Sequence, residues 1–146
     1  MTPATDAKSM KRLLHKNVKV KRGAHGLGLF AVGPVKKAEV VAEYWGEIIP
    51  EAQMKRSRGK YFFELDGHLA IDGKSRKNVA RYINHSCSPN CEPEEHEGHR
   101  VFIVARRNIK PGEEFGYSYG REYWDTYIKP IGCCCGCGGK GPKRWR

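Results

Sequence analysis

With 146 residues the chain has room for one domain with a real hydrophobic core, and no second full domain is expected. Lys and Arg number 27 against 16 Asp and Glu, and the resulting net charge of +11 favours anionic partners such as nucleic acid or acidic protein complexes. No run approaches the roughly 18–20 apolar residues of a membrane helix, and the opening MTPATDAKSMKRLL lacks a signal peptide's apolar stretch, so a soluble chain that stays in the cell, with no membrane partner, is expected.

Residues 1–16 carry Lys8, Lys11, Arg12, His15 and Lys16 with little apolar periodicity, and predict a mobile basic arm with a helical turn around residues 10–14. The fold is expected to begin near Asn17. Alternating and β-branched runs predict strands over residues 18–20, 29–32, 40–45, 47–49, 61–65, 69–71, 100–105 and 115–119. Gly33-Pro34, Asp66-Gly67, Asp72-Gly73, Ser88-Pro89-Asn90 and Pro111-Gly112 punctuate them as turns. Helical signals are confined to residues 51–58 and one turn within residues 78–84. The composite is a β-rich domain with short helices over residues 17–120, a segment over 121–137, and a Gly- and Lys/Arg-rich tail over 138–146.

The cysteines fall in two groups, Cys87 and Cys91 in mid-chain and Cys133, Cys134, Cys135 and Cys137 crowded near the end. Adjacent cysteines make poor mutual disulfides, whereas a tetrahedral zinc ion accepts closely spaced thiolates from one loop. A reducing compartment and a metal therefore suit this placement better than a secreted disulfide scaffold.

Three segments concentrate functional groups. Gly26-Leu27-Gly28 after His25 suits either a hairpin turn or a loop that lets a ligand approach the backbone, and lacks the third glycine and following helix of a dinucleotide site. Arg81-Tyr82-Ile83-Asn84-His85-Ser86-Cys87-Ser88-Pro89-Asn90-Cys91 is the densest run, and as a bare sequence it fits a hydrogen-bonded polar loop or a Cys-His hydrolase, the latter without a third orienting residue. Gly112-Glu113-Glu114-Phe115-Gly116-Tyr117-Ser118-Tyr119 puts two tyrosines on one strand face, where packing is the ordinary role, and a solvated glutamate in the preceding turn.

In this order the segments resemble the SET-domain family of protein-lysine methyltransferases. His25-Gly26-Leu27-Gly28-Leu29-Phe30-Ala31 is similar to its first glycine motif, Tyr44-Trp45-Gly46-Glu47 to Y-x-G, residues 81–91 to R-F-x-N-H-S-C-x-P-N-C, and residues 112–119 to G-E-E-L-T-x-D-Y. The likeness covers residues 17–137, and the part from Tyr119 through Cys133-Cys134-Cys135 resembles the post-SET segment of members that methylate histone tails.

The resemblance implies a pseudoknotted β-clip that binds S-adenosylmethionine on one face while a lysine enters a narrow channel from the other. It assigns the cofactor to His25, Gly26, Leu27, Gly28, Tyr61, Arg81, Asn84, His85 and Trp124. Tyr44 and Tyr117 line the channel, and Tyr119 orients the amine as catalytic residue. Zinc falls to Cys87, Cys133, Cys135 and Cys137, with Lys140 standing where the family's last cysteine is expected and Cys134 as an alternative ligand. Gly116 and Ser118 replace the usual Thr and Asp. Tyr117 stands where the family varies between Phe and Tyr, which implies mono- or dimethylation. The implied substrate is a lysine of a histone or another basic DNA-binding protein, with nucleic acid as a further partner of the basic termini. The implied setting is the nucleus or chromosome, or a bacterial cytoplasm or secreted effector. Two other classes stand beside this one: a non-catalytic SET-like module holding lysine-rich tails or nucleic acid, and a zinc-dependent nucleic-acid-binding protein built on the terminal cysteines.

Overall fold

The computed structural model describes residues 11–23, 26–57 and 61–120. β1 (Val18–Gly23) and β2 (Gly26–Ala31) form an antiparallel ribbon in which Val18 faces Ala31 and Gly23 faces Gly26. The period of two explains it: Val18 and Val20 pack against the core while Lys19 and Lys21 remain exposed. Next come β3 (Val40–Tyr44), β4 (Glu47–Pro50), α1 (Glu51–Arg56), β5 (Phe62–Leu65) and β6 (Leu69–Asp72). A 3-10 turn at Val79–Tyr82 leads to β7 (Asn84–His85), β8 (Cys91–His96), β9 (Arg100–Ala105) and β10 (Gly116–Tyr117). Two antiparallel sheets, ordered β3-β9-β8 and β4-β6-β5, accompany the β1-β2 ribbon and the parallel pair β10-β7. The domain is mainly β, as the turn-punctuated sequence predicts. No helix among the described residues is long and apolar enough to cross a membrane.

Leu29, Val41, Ile71, Ile83, Ile103, Ile109 and Phe115 belong to one core cluster that draws on all of these sheets, and none is more than 2% exposed. Burying side chains of this size contributes roughly 1.5–3 kcal/mol each, against the entropy of ordering so many short strands. α1 buries nothing. It rests on an exposed Glu51 to Lys55 pair at 3.4 Å one turn apart.

One expectation is corrected, and one strand forms where none is predicted. Residues 10–14 predict a helical turn in a mobile arm, yet from Lys11 onward the chain lies along β3. Leu14 bridges to Ala42, the Glu43 N–H donates to the Leu13 carbonyl at 2.9 Å, and the His15 N–H donates to the Val41 carbonyl at 2.9 Å. The cause is Glu43, a carboxylate only 2% exposed. Arg100 meets both of its oxygens, Nη2 at 2.7 Å and Nε at 3.0 Å, while Arg12 Nη1 stands at 3.3 Å and the Leu13 N–H donates at 3.2 Å. Burial pushes this carboxyl pKa up, but the Arg100 hydrogen bonds, the Leu13 N–H and the two guanidinium charges outweigh it and leave the pKa below the usual value. A basic arm that supplies a buried carboxylate's counter-charge is held by it.

β8 is a strand that the sequence reading does not include: Cys91-Glu92-Pro93-Glu94-Glu95-His96 holds acids and a proline, poor strand formers, yet it pairs with β9 from Cys91 opposite Ala105 to His96 opposite Arg100. It is the outer strand of its sheet, where proline and outward carboxylates are tolerated. Of the strand predicted over residues 115–119, only Gly116 and Tyr117 pair as strand.

Candidate active site

Residues 113–117 are paired to two elements, 113–115 to β2 and 116–117 to β7. Toward β2, the Ala31 N–H donates to the Glu113 carbonyl at 2.9 Å and the Phe115 N–H to the Leu29 carbonyl at 2.8 Å. Toward β7, Gly116 pairs with Asn84 and Tyr117 with His85, and the Ser86 N–H donates to the Tyr117 carbonyl at 3.0 Å. Asn90, buried, fastens the join: its Nδ2 donates to the Glu114 carbonyl and its Oδ1 accepts from the Gly116 N–H, both at 2.9 Å. A Cβ at Gly116 would stand 2.8 Å from that of Ser86, so a side chain there would require the two segments to shift apart. Segments around residues 26, 84 and 116 are thereby brought to one place.

There Asn84 is fixed through its amide nitrogen, which donates to the Leu27 carbonyl at 3.0 Å and to Glu114 Oε2 at 2.9 Å. Both amide protons are thereby used, and the Oδ1 that remains can only accept. A Cβ at Gly28 would fall 2.4 Å from Glu114 Oε2, so the absent side chain at Gly28 makes room for this carboxylate. Gly26 holds φ +96°, a backbone that other residues strain to adopt. Asn84, His85, Ser86, Asn90, Glu114 and Gly116 help line a cavity of about 580 Å³, within the range of small-molecule sites.

His85 is half-buried, and burial lowers its pKa to about 4, so its ring is neutral at physiological pH. Its Nδ1 accepts from the Tyr119 N–H at 3.1 Å, which assigns the ring proton to Nε2, 3.2 Å from Cys87 Sγ. The Tyr119 hydroxyl donates to the Ile83 carbonyl.

Beside this cradle the aromatic rings form a row. Tyr44 and Phe63 have centroids 5.6 Å apart, Phe63 and Tyr117 6.5 Å, and Tyr117 and Tyr119 5.1 Å. Tyr44 and Tyr117 are buried. The wall carrying Tyr44 is stapled by Asn78, fully buried, whose Oδ1 accepts from the Trp45 N–H at 3.2 Å and whose Nδ2 donates to the Gly73 carbonyl at 3.1 Å. Arg81 lies over the Tyr61 ring at 3.9 Å and donates to the Lys74 carbonyl.

Of the residues singled out from sequence, Gly26, Leu27, Gly28, Asn84 and His85 therefore meet with Tyr117 and Tyr119. Tyr44 joins them through Phe63, and Tyr61 with Arg81 forms its own stack. Cys87 is buried, and no group of three or more metal-ligating side chains occurs among the described residues. Cys91 is walled into the core, where burial pushes its thiol up to about 12 and leaves it unreactive. His25, Trp124, Cys133, Cys134, Cys135, Cys137 and Lys140 lie outside the described residues.

The SET-domain family profile matches residues 26–120, most of the chain and all of the site just described. This chain belongs to the SET-domain family. The SET domain is similar to histone-lysine N-methyltransferase trr of Drosophila melanogaster, 37% identical over 94% of this chain, and to histone-lysine N-methyltransferase set-2 of Caenorhabditis elegans, 39% identical over 77%. It is also similar to the H3 lysine-4 specific histone-lysine N-methyltransferase of Schizosaccharomyces pombe, 38% identical over 77% of this chain. The chain spans 6%, 8% and 13% of the lengths of these three proteins.

Within this SET domain, four residues contribute what the motifs alone do not show. Phe63 completes the aromatic row, and its position two residues from Tyr61 on a strand is the only hint the sequence holds. Asn78 and Asn90 are backbone staples whose partners are distant in the chain. Glu114 is tied to Asn84. Glu113, too, is engaged, accepting from Arg107 Nη2 at 2.8 Å and from the Lys110 N–H at 2.6 Å, so the partly exposed glutamate of this turn also carries an ion pair.

Proposed function

We propose that this SET domain is an S-adenosylmethionine-dependent protein-lysine N-methyltransferase acting on a histone or another basic chromatin protein. One observation carries the reading: the polar cradle of Asn84 and His85 and the row Tyr44-Phe63-Tyr117-Tyr119 converge at Tyr119, whose backbone N–H is held by His85 and whose hydroxyl is held by Ile83. The relatives' names support the substrate class, and a nuclear, chromosome-associated setting follows from it.

The acceptor-only Oδ1 of Asn84 fits the methionyl amine, and the cavity beside it fits a nucleoside-sized cofactor. When bound, S-adenosylmethionine supplies an electrophilic methyl on sulfonium sulfur. The aromatic row holds the lysine's alkyl stem and excludes water, and its π faces attract the approaching cation. A lysine with a reference pKa of about 10.4 must attack as free amine, and this dry passage disfavours the ammonium. With its proton committed to Ile83, the Tyr119 oxygen accepts from the amine and keeps its lone pair in line with the methyl, which is where alignment lowers the barrier. Held beside Asn84 and His85, the cofactor would supply the methyl and keep the C–S electron pair, and the methylated amine would release its surplus proton to solvent. The Tyr117 hydroxyl occupies room that a third methyl would need, so mono- or dimethyl-lysine is the main product.

Zinc is the second proposed component, held by the thiolates of Cys87, Cys133, Cys135 and Cys137. The His85 Nε2–H beside Cys87 is the donor a thiolate ligand needs. Native mass spectrometry should show one zinc that a chelator removes and that Cys87→Ser does not retain.

The deciding experiment is transfer of labelled methyl to a panel of core histones. Transfer by the wild type that falls at least about a hundredfold in Tyr119→Phe is expected. No transfer with no cofactor binding would overturn the reading, and tail binding without transfer would replace it with the non-catalytic module.

A further inference from the structure

We propose that Glu114 is a positioning residue that sets the Asn84 amide and thereby selects ligands carrying an amino-acid end. The inference rests on the cofactor reading above, which assigns Asn84 but gives Glu114 no role. Asn84 has two ways to place its amide, with nitrogen or with oxygen toward the β2 side. A carboxylate cannot donate, so Glu114 Oε2 at 2.9 Å accepts only nitrogen, and the Leu27 carbonyl at 3.0 Å imposes the same choice on the second proton. Turning the amide over would set its oxygen against two acceptors. Oδ1 is thereby reserved as an acceptor for an ammonium, and a ligand without an amine gains nothing from it.

The carboxylate's own position is over-determined. Glu114 bridges to Phe30 through its backbone, its carbonyl accepts from Asn90 Nδ2 at 2.9 Å, and its Oε2 fills the space that any side chain at Gly28 would take. The second glycine of the Gly26-Leu27-Gly28 motif thus serves the fixed orientation of a side chain on another strand. Preorganisation of this kind cuts the cost of ordering a polar contact at the moment of binding.

The test is calorimetric binding of two probes, S-adenosylhomocysteine, which carries the amino-acid end, and 5′-methylthioadenosine, which lacks it. Glu114→Ala should weaken the first about tenfold, the scale of a lost hydrogen bond to a charged group, and change the second by less than about twofold. Glu114→Gln, which can still present a carbonyl oxygen to Asn84, should retain most of the affinity. Gly28→Ala, which displaces the carboxylate without removing it, should repeat the selective loss and stands in if Glu114→Ala fails to fold. Equal losses for both probes, or no loss for either, would overturn the role of Glu114 while leaving the cofactor site intact. A wild type that binds neither probe would overturn both.

Discussion

Tyr119 combines two attachments that a packing tyrosine does not need: its backbone N–H is donated to His85 and its hydroxyl to the Ile83 carbonyl, so ring and oxygen are both fixed beside the cradle. Tyr119→Phe removes only the oxygen, and its melting temperature should stay within a few degrees of the wild type while transfer collapses, separating chemistry from folding. Tyr117 differs because its ring is buried between Phe63 and Tyr119. Tyr117→Phe should shift the product mass from mono- and dimethyl toward trimethyl-lysine. Dominant trimethylation by the wild type, unchanged by the substitution, would reject the steric role.

At the scale of elements, the attachment of residues 11–16 to β3 adds the ionised Glu43 carboxylate to its backbone hydrogen bonds. The Glu43 pKa lies below the usual carboxylate value in the fold and near it in the unfolded chain. Its ionised form therefore contributes stability that is fully present above the unfolded value and is lost as pH falls through that value toward the lower folded one. Melting temperatures followed from pH 7 to pH 3 should fall in that window for the wild type, with a shallower fall for Glu43→Gln. At pH 7 Glu43→Gln should cost about 2 kcal/mol, less than the 3–5 kcal/mol of a fully buried broken pair because Arg100 and Arg12 are partly exposed. Asn78→Ala should loosen the Tyr44 wall, raising the KM for peptide while leaving cofactor affinity near that of the wild type. Equal changes in both would place Asn78 in general stability instead.

The same elements show what a sequence discloses. β1 carries its burial in its own alternation and β3, β6 and β9 carry theirs in short apolar runs, and the Asn84-His85 pair sits in a run too dense in functional groups to overlook. β8 was hidden because its stability comes from a partner strand and an outer-edge position, and no local preference reveals either. Phe63, Asn78, Asn90 and Glu114 were hidden for a related reason: Asn90 meets Gly116 and Asn84 meets Glu114 across 26 and 30 residues of chain, and such pairings leave no local periodicity. Residues 11–16 were misjudged because a run of cations looks solvated until the buried acid it neutralises is known.

For the molecule as a whole, site and core are the same construction. Phe115, with no exposed surface, sits between Glu114 and Gly116 and belongs to the central cluster, so packing the core and completing the cradle are one event. Phe115→Ala should cost about 3–5 kcal/mol in a denaturant melt, the usual range for a buried phenylalanine, and should lose cofactor binding in parallel with folded population. A variant that stays folded at the working temperature yet binds no cofactor would separate the two.

The pairing of residues 113–115 with β2 and of residues 116–117 with β7 has a consequence during synthesis. A ribosome makes Leu29 and Asn84 well before Tyr119, and the strands between them can collapse early. Until the segment carrying Tyr119 has emerged to lie between β2 and β7, the nascent chain has neither the aromatic row nor the Glu114 that orients Asn84. A half-made copy therefore lacks the completed row and the oriented Asn84 together, and both form in one late step.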